Sequence, residues 1–170
     1  DDITPTNVPT LATTYRANPS TGFSIVSYEG TGSNATVATG LNSPAHFIIV
    51  KNRDSNGMAW SVYHTSIGHN GGNNYIELQS GAGASSDDTA FQDTAPTSTV
   101  FPIGTKPPVS ESGDELIAYC WSEVEGYSKF GEYTASSELP FCACGFRPAI
   151  VIIKKSNSTG NWTIFDDAQN

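Results

Sequence analysis

From Phe23 onward the chain is cut into short runs of β-branched and aromatic residues, each closed by glycine, proline, asparagine, aspartate or serine. "FSIVSY" (23–28) alternates and runs into the turn "EGTGSN"; "ATVATG" (35–40) is a second short run. "HFIIVKN" (46–52) is apolar almost throughout, the pattern of a central strand covered on both faces. The Asn-Gly pair in "RDSNGM" is a hairpin signal. "AWSVYH" (59–64) then sets Trp60 and Val62 on one face, Ser61 and Tyr63 on the other. "NYIELQ" (74–79), "TVFPIG" (99–104) and "ELIAYCWSEV" (115–124) continue in kind. The apolar residues of the last would also suit a short helix, but Tyr119, Cys120 and Trp121 favour a strand. Strands this short and regularly spaced predict an all-β, antiparallel sandwich or barrel. Composition agrees: only 15% of residues are charged, and turn-forming residues fill the polar positions instead. Residues 1–20, with Pro5, Pro9 and Pro19, read as an extended lead-in, a poor strand interior that could be ordered along a neighbouring chain.

The unit then recurs. Tyr28 and Tyr133, and Gly40 and Gly145, match 105 residues apart. Pro44, Ala45, Ile48, Ile49 and Lys51 match Pro148, Ala149, Ile152, Ile153 and Lys155 at 104, and Trp60 matches Trp162 at 102. Both changes of spacing fall in turn-like stretches, where a structural repeat tolerates them. The reading is a jelly-roll-like β-sandwich over 21–125, followed at 126–170 by a partial second copy holding about half of its strands. An incomplete sheet exposes unpaired backbone, so that copy is expected to be completed by strands from elsewhere.

Several stretches carry a resemblance: "GFSIVSYEGTGS", "FIIVKNRD", "DTAPTSTVFPIGT", "ELIAYCWSEVEGYSKFGEYT" and "GFRPAIVIIKKSNSTGNWTIFD". Over residues 21–170 the chain resembles a tandem β repeat of virion proteins from tailed bacteriophages, especially marine ones. Tyr28, Gly30, Gly32 and Ser33 fit its first element, whereas the second copy lacks glycines after Tyr133. The resemblance implies a non-enzymatic structural protein of the particle surface (tail fibre, spike or capsid-surface component) that assembles with copies of itself or with other virion proteins. It brings no catalytic residue. The alternative is a lectin-like module that binds a host surface glycan.

Charge and candidate residues bear on the other classes. A net charge of −9 argues against phosphate-mediated binding of nucleic acid and against an anionic membrane surface. No apolar run approaches a membrane span, and "DDITPTNVPTL" carries no secretory signal. His46, His64 and His69 are the only histidines; His46 and His64 could meet across a hairpin, but no serine sits in a Gly-x-Ser-x-Gly elbow. Asp87, Asp88 and Asp93 could offer oxygen ligands to calcium, though without EF-hand spacing. Trp60, Tyr63, Tyr75, Trp121, Tyr127 and Trp162 could stack on sugars if exposed; recurrence of Trp60 at Trp162 points to core packing instead. Cys120, Cys142 and Cys144 read as buried thiols, with a bridge from Cys120 to one of the others left open. Asn34, Asn157 and Asn161 head sequons and read as turn residues. No catalytic, cofactor-binding or metal-binding residue is assigned.

Overall fold

A computed structural model describes residues 8–67, 74–136 and 141–169. The strands in chain order are β1 (Thr13–Asn18), β2 (Phe23–Glu29), β3 (Ala35–Ala38), β4 (Phe47–Asn52), β5 (Ser61–His64), β6 (Asn74–Glu77), β7 (Ser85–Ser86), β8 (Val100–Ile103), β9 (Glu115–Trp121), β10 (Ile150–Ile153) and β11 (Thr163–Asp166). Two single-turn helices interrupt them, α1 (Asp88–Phe91) and α2 (Pro107–Ser110).

The fold is all-β. Seven strands form one antiparallel sheet in the order β1-β2-β9-β4-β5-β6-β7, and β3 pairs with β8 in a separate two-stranded sheet. β9 is the organising strand. It pairs with β2 on one side, where Tyr28 faces Leu116, and with β4 on the other, where Asn52 faces the same Leu116. Its alternation separates Leu116, Ala118 and Cys120, all fully buried, from Ile117, Tyr119 and Trp121, which lie half-buried on the outer side. That is the period-two split of a strand with one covered face.

The inner face packs against the small sheet and the helices. Val26, Tyr28, Ile48, Val50 and Tyr63 from the large sheet share one core with Val37 and Phe101 from β3 and β8, Phe91 from α1 and Val109 from α2. Tyr28 meets Phe101 edge-on at 6.4 Å and Tyr63 meets Phe91 at 5.6 Å. Burying the Tyr28 ring is tolerable because its hydroxyl donates to the Val109 carbonyl at 2.8 Å. Gln92, left-handed at φ 57°, sends its amide Nε2 to the carbonyls of Ala35 and Ile103, tying β3 to β8.

Two expectations change, and one segment holds more structure than its polar composition suggests. The lead-in is not strand-free: the whole of β1 pairs with Phe23 to Tyr28 of β2, and at Gly40 (φ 69°) any Cβ would strike the ring of its Tyr15. The described part of the lead-in, from residue 8, thus lies along its own sheet. The polar stretch 81–98 holds β7 and α1, because Asp87 caps the helix by accepting the Thr89 amide at 3.0 Å. β4 is interior by pairing, but only its inner face is fully covered; Phe47, Ile49 and Lys51 stay half-buried.

After Val124 the described chain forms one further pair, β10 with β11. Among the described residues no third strand joins it.

Candidate functional site

The β10–β11 hairpin repeats the geometry of β4–β5. In the first, Phe47 to Val50 face His64 to Ser61; in the second, Ile150 to Ile153 face Asp166 to Thr163. The same bond extends each ladder: Thr65 N donates to His46 O at 2.8 Å, and Asp167 N to Ala149 O at 2.9 Å. The register sets the correspondence at 103 residues for the first strand and 102 for the second. Ile48 therefore corresponds to Val151, Ile49 to Ile152 and Lys51 to Lys154, each one residue earlier than the sequence match to Ile152, Ile153 and Lys155.

The lysines behave alike under the register. Lys51 Nζ donates forward to Met58 O at 3.1 Å and Lys154 Nζ to Gly160 O at 2.7 Å, each clasping the loop that follows. Lys154 also reaches the carbonyls of Gly81 (3.2 Å), Ala82 (2.5 Å) and Lys155 (3.2 Å). Desolvation in this ring of carbonyls lowers its pKa. With Ala84 N donating to Ser156 O, Gly160 N to Gly81 O and Trp162 Nε1 to Glu77 O, it docks the hairpin loop beside the end of β6.

Burial differs sharply between the two hairpins. Ile48 and Val50 are fully buried where their equivalents Val151 and Ile153 are half-buried. Ile150 (61% exposed) and Ile152 (53%) stand where Phe47 and Ile49 are half-buried, and Ile164 (66%) and Phe165 (58%) where Val62 and Tyr63 are buried. The segment at 128–134, which follows β2 by 105 residues, forms no strand, and Tyr133 is exposed where Tyr28 is buried. The residues that bury Tyr28 come from β9, β8 and α2, and the described part of 126–169 supplies no equivalent of them.

Two other surfaces stand out. On the outer face of the large sheet, Phe23, Trp121 and Phe47 form a row with centroids 5.0 and 5.4 Å apart, and Ile25, Tyr119 and Ile49 form the next. Phe130 stacks on Phe47 at 6.0 Å and on His46 at 6.1 Å, so the chain after β9 covers part of this face. Separately, Lys51, Asn52, Arg53, Met58, Trp60 and Gln79 line an open cleft of about 670 Å³. Gln79 Oε1 accepts the Trp60 amide at 3.0 Å, and Lys51 Nζ lies 6.0 Å from the indole centroid. The cleft loop is held to β9 by Asp114, which accepts from Asn52 Nδ2 at 2.9 Å and Ser55 Oγ at 2.5 Å; these bonds lower its pKa, Ser55 contributing most.

The candidate residues from the sequence scatter. His46 Nδ1 accepts the Glu123 amide and His64 Nδ1 the Ser66 amide, both at 3.1 Å, and burial followed by the nearby His46 lowers the His64 pKa. His69 lies outside the described residues. Asp87 is engaged by the helix cap and by Lys106 at 2.5 Å, a bond that, with Thr89, lowers its pKa. Asp88 opens α1 and Asp93 follows it at φ 45°. No group of three or more His, Cys, Asp or Glu side chains gathers among the described residues.

Tyr63 and Tyr75 are buried, Tyr127 is exposed, and Trp60, Trp121 and Trp162 are half-buried, so the recurring tryptophans are not core residues. Each instead follows its clasped loop. Cys120 is buried in the core while Cys142 is exposed and Cys144 half-buried, all three free, which removes the bridge from Cys120. Asn34, Asn157 and Asn161 are exposed in turns or loops. No helix among the described residues is long and apolar enough to cross a membrane.

A family described as Domain of unknown function (DUF7483) matches residues 4–170. No curated protein and no solved structure matches the chain.

Proposed function

The chain belongs to the family of that domain of unknown function, and we propose that it is a non-enzymatic structural component of a bacteriophage virion. In this reading it is a tail-fibre, spike or capsid-surface protein that assembles through β-strand contacts with copies of itself or with other virion proteins. The observation that carries the assembly part is the open hairpin: β10–β11 has the register of the interior hairpin β4–β5, yet its apolar side chains face solvent. Unpaired strands and contiguous apolar surface both favour association. The half-exposed aromatic rows around Trp121 add a second apolar surface of the kind that building blocks bury between them. The phage setting rests on the resemblance over residues 21–170, with the two hairpins read as equivalent parts of a tandem repeat. The histidines fit a structural role, since His46 and His64 each spend Nδ1 on a backbone amide.

The test is an immunoblot of gradient-purified particles of the phage that encodes the chain. The chain is expected to co-sediment with the capsid and tail proteins at constant stoichiometry. Recovery only from the soluble lysate would contradict the reading.

One observation favours a second reading, a glycan-binding module on the particle surface. The Trp60 cleft joins a half-exposed indole to amide and cationic side chains, the combination that stacks on and hydrogen-bonds to a sugar. Saturable binding on a glycan array, lost in Trp60→Ala, would support it; no binding leaves the architectural reading alone.

A further inference from the structure

We infer that the outer edge of β1 is a self-complementary contact, on which a second copy of this chain adds its own β1, antiparallel, about a two-fold axis at Tyr15. This deepens the assembly reading above by naming a partner and a surface, and it rests on the premise there that copies of the chain associate. The two ends of the seven-stranded sheet differ. β7 has only Ser85 and Ser86, and beside it Ala84 N already donates to Ser156 O. β1 runs from Thr13 to Asn18 and, among the described residues, pairs in the sheet with β2 alone. It holds no proline and a single charge, Arg16, which is little of what ordinarily blunts a sheet edge.

Register fixes which groups this edge offers. Ser122 N donates to Gly22 O and Gly30 N to Asp114 O, so the even-numbered residues along β2 bond to β9. The odd-numbered ones, Phe23, Ile25 and Ser27, therefore turn their backbone toward β1, where they face Asn18, Arg16 and Thr14. That leaves Thr13, Tyr15 and Ala17 with N–H and C=O directed away from the sheet. The run is closed on both sides, since Leu11 N is taken by Thr36 O and Pro19 has no N–H. These free groups are symmetric about Tyr15. With the axis there, Tyr15 exchanges both bonds with Tyr15 of the second copy, and Thr13 exchanges both with Ala17, so no edge group is left over. The side chains agree. Thr14 faces Arg16 of the second copy on the outer side, and the exposed Tyr15 ring beside Gly40 meets its own equivalent. An axis at Arg16 would set two guanidinium groups opposite each other and Thr13 opposite Pro19. An axis at Thr14 would set Ala17 opposite Leu11, whose N–H is already used.

The experiment is sedimentation velocity of the full chain across a range of concentrations, with backbone hydrogen exchange read at each. A two-chain species is expected to grow with concentration. With it should come protection of the Thr13, Tyr15 and Ala17 amides, whereas those of Thr14, Arg16 and Asn18 are protected in the single chain already. Thr14→Glu places a carboxylate opposite Arg16 of the second copy and should strengthen the pair; Thr14→Arg places a like charge there and should dissociate it. Both changes fall on an exposed side chain, so the fold is expected to tolerate them. Thr13→Pro, at the first position of the strand and on its open side, should also dissociate the pair. The inference is overturned by a chain that stays single at every concentration, by association that both Thr14 variants leave unchanged, or by protection confined to 150–153 and 163–166. The outcomes separate it from the virion reading. A chain found on particles whose association ignores the Thr14 variants refutes the β1 contact alone, whereas β1 pairing by a chain absent from particles refutes the particle assignment alone.

Discussion

Cys120, Cys142 and Cys144 show how one residue type divides by position. Cys120 alternates inward on β9 beside Ser24, and burial pushes its thiol up to about 12. A protonated, buried thiol is inert, since the thiolate is the reactive form. Cys142 lies open to reagent. Thiol titration of the native protein is therefore expected to modify Cys142 first and to reach Cys120 only on unfolding; rapid native labelling of Cys120 would contradict the burial described. The sequence reads Cys142 and Cys144 as buried thiols, the usual state of a cysteine on a packed strand. It could not show that the strand is absent, because that depends on a partner outside the local pattern. Lys154 gives the same lesson. Matching "IIxK" favours Lys155, whereas the carbonyls that choose Lys154 are supplied by Gly81, Ala82 and Gly160.

Between elements, the two hairpins make a controlled comparison. Strand existence was legible in composition: β2, β3, β4, β5, β6, β8 and β9 all fall on the quoted runs. Register and burial were not, because they are set by neighbours rather than by the strand itself. β1 escaped notice because a proline-bounded, threonine-rich segment pairs well enough at a sheet edge. The short helices escaped because one aspartate cap or one Pro-Pro step makes a turn too brief to show periodicity. A direct consequence concerns stability. Ile48→Ala empties a site in the packed core and should cost about 2–5 kcal/mol. Ile152→Ala, at the equivalent of the half-buried Ile49, trims an exposed side chain and should change stability by about 0.5 kcal/mol or less. Urea titration of the two variants measures the difference, and equal losses would mean that β10 is covered in solution.

At the scale of the molecule, the core carries groups whose charging opposes folding. Burial raises the Tyr28 pKa well above its ordinary value, with Cys120 adding to the effect, and raises Tyr63 to about 12. With Cys120, these are three groups that the native state keeps protonated while the unfolded chain releases the protons at ordinary pKa values. The native state therefore binds more protons as the solution turns alkaline, and stability falls with rising pH. The contribution is whole below about pH 9 and is lost progressively as pH climbs toward about 12. Guanidinium midpoints measured from about pH 7 to about pH 11 should hold steady and then drop; a flat profile would mean that these groups reach water.

The proposed virion role requires that the exposed side chains of the β10–β11 hairpin be covered in the particle. Electron cryomicroscopy of the intact particle, with the chain located by a bound antibody fragment, tests this most directly. The expected map shows the chain at symmetry-related positions on the tail or capsid surface, with the exposed side chains of 150–153 and 163–166 covered by a neighbouring chain. Absence of the chain from the ordered particle, or its presence with that hairpin bare to solvent, would contradict it.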